Sequence, residues 1–203
     1  MQTRIMLRKE LMSRVVQLWR RCKFKAYART EGSQIAEFAI SLPLLAVIVI
    51  GITDFGSAFN LKYKLSNAGR EGLRFASTQT ASDLSNPTPL SIAAIHDVVD
   101  NYLVGEHVND CGLSTTSPTN AGLIWTYSAN TGCPGNGTLT LTINRGDTFP
   151  TTGGNTVTVE TTRIRISYPY QWRFSSVVKV LIPSAQYAGV TQITTETVMK
   201  NLN

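Results

Sequence analysis

The chain has 203 residues, 42% of them hydrophobic and 16% charged, with three cysteines and a formal net charge of +6. That length fits one membrane segment plus one modest domain. The charge is not distributed as in a nucleic-acid-binding protein: residues 1–32 carry nine Lys or Arg against two acids (+7), leaving ten against eleven (−1) for residues 33–203, and no aromatic interleaving or groove-reading motif accompanies the basic stretch.

Within residues 1–32, Leu11, Met12, Val15, Val16, Leu18, Trp19 and Cys22 recur at helical spacing, with Arg14, Gln17, Arg20 and Arg21 on the other side. This predicts an amphipathic basic helix lying on an anionic inner leaflet, against the alternative of a disordered polybasic tail. Next comes the most apolar stretch of the chain: Gly32, one acid at Glu37, then sixteen uncharged residues, 38–53. Sixteen helical residues cover ~24 Å, and residues 35–55 reach ~31 Å if Glu37 and Asp54 snorkel toward the headgroups, enough for a single membrane helix. Pro43 removes one backbone bond, which in lipid must be made good by a neighbouring helix, a hydroxyl such as Ser41, or a kink. The basic flank orients the helix with its N-terminus in the cytoplasm and its C-terminus outside. A removable secretory signal cut at Gly56-Ser57-Ala58 is the rival reading, but a basic region of 37 residues before the apolar run is far too long for one.

Glu37 stands one residue before the apolar run, where a carboxylate is costly. On position alone it is an interfacial acid that snorkels. If the chain were cut after Gly32, Ser33 would carry a free amine close to a carboxylate, and one subunit's Glu37 would pair with the amine of the next.

These residues carry a resemblance. Gly32, then Glu37-Phe38-Ala39, then Ser41-Leu42-Pro43, preceded by basic residues, resembles the TadE-like pseudopilins of the tight-adherence (Flp) pilus system. The likeness is strongest over residues 29–76 and returns faintly in VTQITTETVMK near the C-terminus. It implies cleavage after Gly32 by a prepilin peptidase, with Glu37, Phe38 and Pro43 serving recognition and assembly. Its implied partners are that peptidase, other pilin-like subunits and the pilus assembly platform in the inner membrane. Ser33 occupies the place where ordinary type IV pilins usually carry phenylalanine or methionine.

Beyond the apolar run, Phe55, Phe59, Leu65, Ala68 and Phe75 or Ala76 continue a helical pattern through three glycines, Gly56, Gly69 and Gly72. We read it as a stalk, the glycines marking either bends or the close approach of neighbouring helices. Residues 81–89 are a linker, and residues 91–104 a short helix with Ile92, Ile95, Val98, Val99, Tyr102 and Leu103 on one face. Fifteen threonines then fall between Thr115 and Thr162, a strand-rich habit. Residues 138–144 alternate cleanly as a strand. In the next strand Val157 and Val159 take odd positions but Ile164, Ile166 and Tyr168 even ones, which predicts a bulge or break between Glu160 and Arg163. Residues 171–182 fit a strand or a short helix, and residues 190–199 a last strand.

Cys22 falls on the reducing side, leaving Cys111 and Cys133 as a pair for the exported part. They are expected to form a disulfide rather than stay as two buried thiols. No catalytic residue or cofactor is expected: there is no phosphate loop and no nucleophile elbow. His96 and His107 have no second ligand at metal spacing and read as packed or solvated, and Asn109 and Asp110 lack the acidic spacing of a calcium loop. The expected architecture is α+β: residues 1–32 a basic cytoplasmic leader, 33–54 a transmembrane helix, 55–80 a stalk helix, and 81–203 a small exported domain with an antiparallel β-sheet and one or two short helices. The expected function is a non-enzymatic minor pilin-like component. The alternative is an uncleaved single-pass protein whose exported domain binds a ligand or cell-wall component.

Overall fold

A computed structural model describes residues 30–150, 158–174 and 190–201. The leader helix and Cys22 lie outside the described residues, as do Val157 and all of residues 175–182. The chain divides into two compact units, residues 1–46 and 47–203.

Helix α1 spans Thr30–Ala76 without interruption, and Pro43 lies inside it. A proline at this position removes the bond to the carbonyl of Ala39, four residues back. The Ser41 hydroxyl donates to the neighbouring Phe38 carbonyl, 3.3 Å away. Helix α2 covers Leu90–Gly105. It is held at its start by Asp83, whose carboxylate accepts from both the amide and the hydroxyl of Ser91, each at 2.8 Å. Among the described residues five strands follow: β1 (Thr119–Ala121), β2 (Ile124–Ala129), β3 (Leu139–Pro150), β4 (Thr158–Gln171) and β5 (Val190–Lys200). They form one antiparallel meander in sequence order. Gln171 ends β4, and residues 173–174 form a turn.

The fold of the second unit follows from alternation. Trp125 and Tyr127 of β2, Leu139, Leu141 and Ile143 of β3, and Ile164, Ile166 and Tyr168 of β4 all face one side of the sheet. On that side they share a core with Ile92, Ile95, Val99 and Leu103 of α2 and with Leu65, Ala68, Leu73 and Ala76 of α1. The C-terminal part of α1 is therefore a wall of the core. Its glycines divide accordingly. A methyl on Gly72 would come within 2.7 Å of Val99 and 2.9 Å of Ile164, and one on Gly69 within 2.6 Å of Thr197, whereas one on Gly56 would meet nothing. Gly69 and Gly72 allow close approach to the sheet and α2 within this chain.

The phase change is accommodated on the opposite strand from the one expected. β4 pairs with β5 without interruption, and the extra residue sits in β3, between Asn144 and Asp147, opposite Thr161–Arg163. Thr161 and Thr162 are both buried where the pattern of β4 switches. The bulge turns Arg145 inward, and its guanidinium donates to the carbonyls of Ala76 (2.6 Å) and Gln79 (3.2 Å). It thereby adds a charged donor to the Ala76 carbonyl, which also accepts from the Gln79 amide at 3.1 Å, and pins the chain just past the end of α1. Burial pulls this guanidinium down from its usual value, while Asp83 opposes the shift.

Candidate functional site

The predicted cleavage and recognition residues share one helix. Gly32 and Ser33 fall in the first turn of α1, and Glu37, Phe38 and Pro43 follow within about 16 Å along the axis. The side chains of residues 34–45 are all exposed, Phe38 at 63%. α1 holds a stretch long and apolar enough to cross a membrane, and none of that stretch is buried. A helix that apolar and that exposed fits a single-pass membrane anchor.

The end of the uncharged run is where, within the second unit, the end of β4 meets α1. Asp54 is fully buried, so it does not snorkel. The Tyr170 hydroxyl donates to its backbone carbonyl and the Phe174 amide to its carboxylate, both at 3.3 Å. Trp172 stands edge-on to Tyr170 (centroids 5.1 Å apart) and to Phe55 (5.3 Å). Tyr170 and Trp172, at alternate positions where β4 ends, fasten the sheet to the helix, and Tyr168 two residues earlier packs in the core. Burial and the Asp54 charge push the Tyr170 phenol above its usual value, with Ser57 and Arg173 opposing. This junction was not foreseen from the sequence. Its signal was an acid closing the apolar run together with three alternate aromatics.

Two clefts open beside this junction. A polar one of about 680 Å³ is bounded by Asn60 and Lys64 of α1, His107 and Asn109, and Trp172 and Arg173. An apolar one of about 290 Å³ is bounded by Phe55, Phe59 and Ile193 and shares Trp172.

Elsewhere lie the expected cysteine pair and the residues set aside as ligands. The sulfurs of Cys111 and Cys133 stand at bonding distance with Cα atoms 4.8 Å apart. Asn109 ties their loops together, accepting from the Cys111 amide at 2.8 Å and donating to the Gly132 carbonyl at 2.7 Å, so its side chain is already engaged. His96 is buried and stacked on Tyr127 at 4.2 Å; its Nε2–H donates to the Leu113 carbonyl at 3.0 Å. His107 is exposed in a left-handed conformation, φ 58°. Among the described residues no three His, Cys, Asp or Glu side chains converge as a metal site.

An exposed apolar helix followed in the chain by a small α+β domain fits the class of single-pass anchored proteins with an appended domain. Within that class, residues 32–74 match the family model described as TadE-like protein, a family of Tad pilus structural and assembly components. The matched segment begins at Gly32 and ends two residues before α1 does. No curated protein and no solved structure matches the chain.

Proposed function

We propose that the protein is a non-enzymatic, minor pilin-like component of tight-adherence pilus assembly, held in a bacterial inner membrane with its N-terminus in the cytoplasm and residues 81–203 outside. A prepilin peptidase cuts after Gly32, and the mature chain begins at Ser33. In the membrane, Glu37 pairs with the Ser33 amine of a neighbouring pilin-like subunit, and Phe38 and Pro43 shape the contact with the assembly platform. The observation that carries this reading is that the family match, residues 32–74, overlies the exposed apolar helix, whose apolar span is Gln34–Ala76. A disulfide between Cys111 and Cys133 suits an oxidising compartment for the exported domain.

The test is co-isolation of other pilin-like subunits from mild detergent extracts of the native host. Glu37→Gln keeps shape and removes charge. It is expected to reduce the recovered partners by at least about tenfold, since one half of an ion pair in a membrane is left uncompensated, while its own membrane level stays unchanged. Undiminished recovery would contradict the pairing role.

A further inference from the structure

The rung of α1 where the uncharged run ends, Asp54, is also the rung to which the end of β4 is bound. If α1 spans the membrane, the turns just beyond Asp54 lie in the headgroup layer. Ser57, Asn60 and Lys64 line one stripe of the helix, about 5, 9 and 15 Å beyond Asp54. The headgroup layer is about 5–8 Å deep on each side, so Ser57 stands within it, Asn60 at its outer edge and Lys64 above it.

The polar cleft on that stripe seeks an anion. It carries Lys64, Arg173 and His107 with the amide of Asn60, and no carboxylate side chain lines it; the Asn109 amide at its edge is spent on the Gly132 carbonyl. Lys64 is partly satisfied, since its Nζ donates to the Glu106 carbonyl at 2.6 Å and lies 3.6 Å from the Glu106 carboxylate. Arg173 is exposed and makes no ion pair among the described residues. A guanidinium fork is the side chain best matched to phosphate oxygens. On the other side of Trp172 the surface is apolar, with Phe55 51% and Phe59 68% exposed. An indole between a cationic cleft and an exposed aromatic groove is the arrangement that suits a membrane interface.

The geometry points to an anionic membrane phospholipid as the occupant, its phosphate headgroup at the mouth of the cleft against Arg173 and Asn60, and its acyl chains against Phe55, Phe59 and Trp172. Bound there, the lipid seats the domain on the bilayer surface. This inference rests on the membrane reading of α1 but not on cleavage or pilus assembly.

The test is native mass spectrometry of the full chain in neutral detergent with equal phosphatidylglycerol and phosphatidylcholine. One phosphatidylglycerol adduct is expected in preference to phosphatidylcholine. It should fall about tenfold in Arg173→Ala, as expected for loss of a charged hydrogen bond, recover in part in Arg173→Lys, and stay unchanged in Arg165→Ala on the outer face of the sheet. Circular dichroism of each variant establishes that its fold is kept. Equal retention of both lipids, an adduct indifferent to Arg173→Ala, or displacement by millimolar inorganic phosphate would each overturn the proposal, as would binding of soluble anionic cell-wall glycan in place of lipid. Alkaline carbonate extraction tests the membrane reading separately: a chain that washes off membranes contradicts that reading whatever its adducts.

Discussion

Arg145 and Asp100 are buried charged residues with opposite consequences. Arg145 closes the end of α1 through the Ala76 and Gln79 carbonyls. Arg145→Met should therefore destabilise the full chain in detergent by about 2–4 kcal/mol in thermal unfolding, since it withdraws charged donors from a buried helix end. Asp100 is buried with an Oδ1 that finds no hydrogen-bond partner among the described residues. Burial first, then the Asp110 charge, raises its carboxyl above the ordinary 3.8; His96 opposes and Asp97 adds to the shift. A raised carboxyl holds its proton more tightly folded than unfolded. Its contribution to stability is full below pH 3.8 and is lost as pH climbs through the folded value. Asp100→Asn should raise the melting temperature at pH 7 and remove that decline from the stability-pH profile. An unchanged profile would contradict the assignment. Neither role was legible in the sequence, because Arg145 looks like an isolated surface cation in a threonine-rich stretch until the bulge turns it inward, and Asp100 looks like an ordinary helix-surface acid until Leu103 and Val99 beside it are buried.

At the scale of elements, the glycines of α1 separate helix propensity from packing. Gly56→Ala meets open space and should stabilise the helix by about 0.5–1 kcal/mol. Gly72→Ala gains the same propensity but drives a methyl into Val99 and Ile164, so a net loss of about 1–3 kcal/mol is expected. If both substitutions stabilised the chain in thermal unfolding, Gly72 would not be at a close contact. The elements with strong periodicity were readable: α2 is foretold by its isoleucine and valine stripe, β3 by Leu139, Leu141 and Ile143, and β5 by its alternation. The β1–β2 hairpin was missed because three exposed residues make β1. The available signal was Gly122, whose φ of 66° at the first loop position suits a tight hairpin turn, followed by Trp125, Tyr127 and Ala129 at alternate positions. The bulge was inferred from a real phase change but assigned to the wrong strand, since a one-strand pattern does not say which partner takes the extra residue.

At the scale of the whole molecule, the apolar run announces the anchor, whereas the fastening of β4 at Asp54 joins residues more than a hundred positions apart and leaves no local pattern. The same holds for the cysteine loops, which Asn109 and the Thr131 amide bring together. Replacing Cys111 and Cys133 with serines should cost about 3 kcal/mol for a loop of 22 residues, read as a lower urea midpoint under oxidising conditions and as no difference after reduction of the parent chain. The central claim is that this chain is a pilin-like subunit trimmed at the threshold of its membrane helix. It is tested most directly by intact mass and N-terminal analysis of membrane-extracted protein from cells with and without the prepilin peptidase. A peptidase-dependent N-terminus at Ser33 is the predicted result; a chain that keeps residues 1–32 in both samples would contradict it.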